Sequence, residues 1–76
     1  MSRITKKMKI FAYILHESFG YTMVEIAKIM DVSQPSISLY IREIRNEYLS
    51  TQLDLTEYKN ELINLGYKEP TINFKN

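Results

Sequence analysis

An all-α fold follows from three features of this 76-residue chain. Apolar residues return at three- and four-residue intervals through four segments. Two glycines and two prolines leave little turn chemistry. The strict alternation of a half-buried strand is scarce. The expected architecture is a three-helix core, a fourth C-terminal helix and a short tail. These form one domain over residues 1–76, with the core at 1–50, the fourth helix at 51–66 and the tail at 67–76.

The first helix is predicted from about Arg3 to Ser18, with Ser2 as its N-cap. Ile4, Met8, Phe11, Ala12, Leu15 and Phe19 make its apolar stripe, and Gly20 supplies a left-handed stop. Ile10, Tyr13 and Ile14 fall outside that stripe. They widen the apolar face so that it meets either two neighbours in the chain or, in part, a second subunit.

The second helix has the best-marked start. Thr22-Met23-Val24-Glu25 is a capping box, and Tyr21 with Ile26 has the spacing of a hydrophobic staple. The helix runs from Met23 to Met30, and Val24, Ile26, Ala27 and Met30 are expected on its buried side. Asp31-Val32-Ser33 is then a three-residue joint.

A longer helix begins at Gln34 or Pro35. Proline suits a first helical turn but disfavours helical geometry at Gln34, which leaves the start open between the two. Ile37, Tyr40, Ile41, Ile44 and Tyr48 cluster on one side and form its core stripe. Ser38, Leu39, Arg42, Arg45 and Asn46 lie opposite, and fraying is expected at Ser50 and Thr51.

Asp54 or Thr56 is placed to cap the fourth helix, in which Leu55, Tyr58, Leu62 and Leu65 recur as a seam and Gly66 makes the stop. The tail, with Pro70 and Thr71-Ile72-Asn73-Phe74, is expected to be extended or disordered.

The charge is uneven. Residues 1–45 carry seven Lys/Arg against four Asp/Glu, and residues 46–76 carry three against five, so +3 and −2 make up the net +1. A polyanion would approach the N-terminal part.

Cysteine is absent and histidine occurs once, which excludes disulfides and a closed zinc site. No metal or cofactor is expected. No apolar run reaches the ~20 residues of a membrane span, and no signal peptide is evident, so a cytoplasmic protein is expected. Nothing resembles a phosphate loop, a carboxylate pair in a cleft or a nucleophile with its base, so no enzymatic activity is expected. His16 and Glu17 are neighbours whose side chains should diverge on a helix, and His16 reads as a surface residue. A tyrosine-recombinase catalytic domain does not fit in this length.

A short helix, a three-residue joint and a longer helix form a helix-turn-helix pattern. Met23 to Arg42, MVEIAKIMDVSQPSISLYIR, resembles the helix-turn-helix of phage and plasmid repressors and of resolvase-type DNA-binding domains. Ala27 matches their small residue at the helix crossing, and Ile26, Met30 and Val32 match the apolar positions around it. Ile37 and Tyr40 match the inner pair of the second helix, and Ser33-Gln34 with Ile37 to Ile41 matches its start. Asp31 departs from the pattern, since the first turn residue there is usually glycine.

The resemblance implies double-stranded DNA as partner, with the longer helix in the major groove. The candidate base or backbone contacts are Ser33, Gln34, Pro35, Ser36, Ser38, Leu39, Arg42, Arg45 and Asn46. Gln34 suits adenine, Arg42 suits guanine or a phosphate, and Leu39 suits a thymine methyl. Thr22, Lys6 and Lys28 are secondary backbone candidates.

One such motif reads few base pairs, so a homodimer is expected, built from Leu49, Leu53, Leu55, Tyr58, Leu62 and Leu65. The fourth helix alternatively folds back on its own core. The implied role is a small transcriptional repressor or regulator. An accessory factor in phage or plasmid recombination, replication or partition remains open, as does a helical protein–protein adaptor without DNA contact.

Overall fold

The computed structural model describes residues 4–68. Four helices follow in order: α1 Lys6–Glu17, α2 Met23–Met30, α3 Gln34–Thr51 and α4 Thr56–Asn64. Among the described residues there is no strand. Ile72, Phe74 and the rest of the expected tail beyond Lys68 lie outside the described residues.

Local chemistry sets most of the helix ends. Thr5, rather than Ser2, caps α1, and its side chain accepts from the Met8 N–H. Gly20 takes φ 79, beyond the Ser18 C-cap. The capping box at Thr22 and Glu25 is fully formed.

Ser33 caps α3, which resolves its start: Gln34 is the first helical residue and Pro35 stays within the first turn, where no N–H is needed. The helix does not fray early. It runs through Thr51, where the Ser50 and Thr51 hydroxyls donate to the Glu47 carbonyl at 3.3 and 2.8 Å. Gln52 then closes it at φ 53.

Thr56 is the first residue of α4 rather than its cap. Asp54 Oδ1 accepts the Thr56 N–H at 3.0 Å, and the hydrogen bond holds the Asp54 carboxyl below its ordinary value.

Helix α1 packs on all three other helices, and α4 packs on α1 alone. This arrangement explains the main departure from the expected core. Ile10 and Ile14, outside the narrow stripe, are fully buried together with Ala12 and Leu15. A helix covered by three neighbours needs a broad apolar arc. On the α4 side Phe11 meets the Tyr58 ring edge-on at 6.2 Å. Leu62 is α4's fully buried side chain.

Two expected core residues are exposed instead. Val24 is 47% exposed. Met23, Ile26, Ala27 and Met30 share one arc of α2, and at 100° per residue Val24 sits about 110° from its middle. Tyr48 is 41% exposed although it follows the α3 stripe. The 18 residues of α3 outrun the 12 of α1, so Tyr48 keeps a ring neighbour in Tyr13 at 6.3 Å but no full cover.

Ion pairs flank the α1–α3 contact. Lys6 reaches Glu47 at 2.6 Å and Lys9 reaches Glu43 at 3.0 Å on one side, while Arg45 reaches Glu17 at 2.6 Å on the other. Lys7 pairs with Glu61 of α4 at 2.7 Å. Beyond α4, Gly66 takes φ 109 and Tyr67 turns back to meet the Tyr21 ring at 5.9 Å.

Candidate nucleic-acid interface

The geometry of the second and third helices begins with Ala27. It is 8% exposed on the buried side of α2, which packs directly on α3. Asp31 ends α2 in the left-handed region, φ 58 and ψ 48, the conformation for which glycine is usual. The Val32 N–H donates to the Ala27 carbonyl at 3.0 Å, and Ser33 starts α3 at once. Two helices are thus set at a close crossing by three residues.

The first turn of α3 is occupied by its own chemistry. The Ser36 N–H donates to Ser33 Oγ at 3.3 Å, and the two hydroxyls share a hydrogen bond of 2.9 Å. The Ile37 N–H donates to the Ser33 carbonyl, and Pro35 has no N–H to offer. In that turn the Gln34 N–H remains open to an outside acceptor. Ser33 and Ser36 therefore serve the cap, and their shared hydrogen bond leaves one hydroxyl hydrogen of the pair over.

The outward ridge of α3 is formed by Pro35, Leu39, Arg42 and Asn46, spaced four, three and four. All four are exposed, Leu39 at 46%. Gln34 stands exposed at the tip, and Ser38 is half-buried on the flank. The ridge thus presents an amide, a hydroxyl, a guanidinium, a second amide and one branched apolar side chain along a single helix. These are side chains able to bond to base edges and to touch a methyl group.

Charge pairing sorts the cations. Arg42 on α3 and Lys28 on α2 are exposed and carry no ion-pair partner among the described residues. Arg45, expected beside Arg42 as a contact, is committed to Glu17, because it faces the end of α1 rather than the ridge. Lys6 is held at Glu47, about 20 Å along α3 from Gln34. Thr22 is occupied as well: its N–H donates to Glu25 Oε1 at 2.8 Å and its Oγ1 accepts the Glu25 N–H at 3.1 Å. The Glu25 carboxylate covers the start of α2, which disfavours a phosphate there.

Interhelical pairing was not visible in the spacing, since it joins residues 28 to 54 positions apart. The Lys9 ammonium also lies 5.5 Å from the Tyr40 ring centre. His16 does not diverge from Glu17: its Nδ1 lies 3.1 Å from Glu17 Oε2. Burial would raise the Glu17 carboxyl, but the Arg45 and His16 hydrogen bonds and charges outweigh it and hold the group below its ordinary value. Tyr13 beside them is raised, first by burial and then by the Glu17 charge.

The six residues expected at a subunit contact divide. Leu62 belongs to the core, and Leu53, Leu55 and Tyr58 are half-buried against it. Leu49 and Leu65 stand out, 72% and 64% exposed. The fourth helix therefore does fold back on its own core.

Among the described residues, no group of three or more His, Cys, Asp or Glu could hold a metal ion, and no helix is long and apolar enough to cross a membrane. Comparison with family models, curated proteins and solved structures finds no match to this chain.

Proposed function

We propose that this protein binds double-stranded DNA sequence-specifically, with α3 in the major groove, and serves as a small transcriptional repressor or regulator in the cytoplasm of a bacterial or phage-infected cell. The observation that carries the reading is the outward ridge of α3. It holds Arg42 without an ion-pair partner among the described residues, while the nearby cations of α1 and Arg45 are paired within the fold. A helix kept only for packing has no need to hold out a guanidinium flanked by amides and an exposed leucine.

The groove is about 12 Å wide and accepts one helix. Gln34, Arg42 and Asn46 would reach base edges or phosphates, Leu39 would meet a thymine methyl, and Lys28 would meet a phosphate from α2. No chemistry on the DNA is implied.

The test is selection of bound duplexes from a random pool, followed by titration of the winner against salt. A recovered consensus with salt-dependent binding supports the reading. Absence of retardation of any duplex at low salt overturns it in favour of an adaptor.

A further inference from the structure

Helix α3 holds two apolar side chains on the side turned directly away from the core. At 100° per residue, Pro35 and Leu39 both lie about 150° or more from the middle of the buried arc of Ile37, Ile41 and Ile44. Both are exposed, and they stand one turn apart, where side chains on a helix are neighbours. The helices that pack on α3 are α1 and α2, and they cover its other side.

Polarity changes along the ridge. Pro35 sits in the first turn, Leu39 about 6 Å further on, Arg42 about 4.5 Å beyond that and Asn46 about 6 Å beyond Arg42. The half of the ridge nearest the start of α3 is therefore apolar, apart from Gln34 at the tip, and the half beyond it is polar. A reading helix sets its N-terminal residues against the base edges. Those edges present donors, acceptors and one kind of apolar group, the methyl on C5 of a pyrimidine. An apolar pair pressed against donors or acceptors would take them out of water without pairing them. Against methyl groups it loses nothing and buries apolar surface.

We infer that Pro35 and Leu39 together form a methyl-reading pair, and that α3 selects duplexes whose neighbouring base pairs carry 5-methylpyrimidines. The shared chemistry is the C5-methyl group, borne by thymine in ordinary DNA and by 5-methylcytosine in modified DNA. The inference rests on the DNA-binding reading and makes the base methyl itself a condition of tight binding.

The test compares two forms of the selected duplex, one with thymine and one with uracil at every thymine position, by fluorescence anisotropy with the full chain. The exchange removes the methyl and leaves the hydrogen-bonding edge as it was. Wild type should bind the uracil form about fourfold more weakly for each contacted methyl, the equivalent of ~0.8 kcal/mol per buried carbon. Leu39→Ala should melt as wild type does, bind the thymine form more weakly and lose most of the thymine-to-uracil ratio. Arg42→Ala should bind both forms more weakly and keep the ratio, since its guanidinium faces a hydrogen-bonding edge or a phosphate.

Selection from two random pools, one with cytosine and one with 5-methylcytosine throughout, separates the sources of the methyl. Neighbouring thymines recovered from both pools support the inference with thymine as the ligand. A consensus recovered only from the methylated pool supports it with 5-methylcytosine, and the comparison is then made with that duplex against its unmethylated form. Specific binding with equal affinity for methylated and demethylated forms overturns the inference and leaves the DNA-binding reading standing. So does a Leu39→Ala chain that keeps the full ratio, because the methyl then acts through the shape of the duplex. Absence of binding to any duplex at low salt overturns both.

Discussion

Arg45 Nη2 donates to Glu17 Oε2 at 2.6 Å, tying the last residue of α1 to the flank of α3 just beyond the outward ridge. One turn of helix chemistry thus separates a guanidinium that fastens the fold from one, Arg42, that faces outward.

That contrast gives the sharpest functional prediction. Arg42→Ala should weaken binding to the selected duplex by about 1–3 kcal/mol with an unchanged melting temperature. Arg45→Ala should leave affinity nearly intact. Fluorescence anisotropy on one duplex checks both, and equal losses would mean that the groove is approached from the α1 side.

The same pair predicts a pH effect. Glu17 is held below its ordinary value in the folded chain, so its contribution is complete above the ordinary glutamate range and is lost as pH falls through the lowered value. Both side chains are more than a third exposed, so the gain is under about 1 kcal/mol. In Arg45→Ala, carboxyl NMR should find Glu17 titrating higher, and the melting curve should lose part of its acid sensitivity.

Thr22→Ala removes the acceptor for the Glu25 N–H, and Glu25 loses its partner hydroxyl. A cost of about 1 kcal/mol is expected in urea unfolding, with no change in the slope of the transition.

Ala27→Leu places three further carbon atoms where α2 and α3 cross. It should cost about 1–3 kcal/mol, enough to unfold much of a small domain at physiological temperature. Thermal melts followed by dichroism measure it.

Gln52→Gly should stabilise. Glutamine at φ 53 carries a left-handed penalty of about 1–2 kcal/mol, against roughly 0.5–1 for the extra freedom glycine has when unfolded. A net gain of about 0.5–1 kcal/mol is expected in the same urea experiment.

What could be read from the sequence was local. Thr22 with Glu25, the joint at Asp31 and the stops at Gly20 and Gly66 each act through atoms a few residues apart, and the chain order contains that information. The ridge at Leu39, Arg42 and Asn46 was legible for the same reason, being the side opposite Ile37 and Ile41.

What depended on distant partners was not legible. Ile10 and Ile14 are buried because α1 meets three helices rather than one. Arg45 is withdrawn by a residue 28 positions away, and Thr22 is saturated by the same box that announces its helix. Leu62 and Leu65 look alike in the seam, yet only Leu62 is buried.

Because α4 packs on α1 and on no other helix, its attachment rests on Phe11, Tyr58, Leu62 and their neighbours. The domain consequently has a natural line of partial opening. Amide hydrogens of α4 should exchange with solvent through a local undocking, while those at the centres of α1 and α3 wait for the whole molecule to unfold.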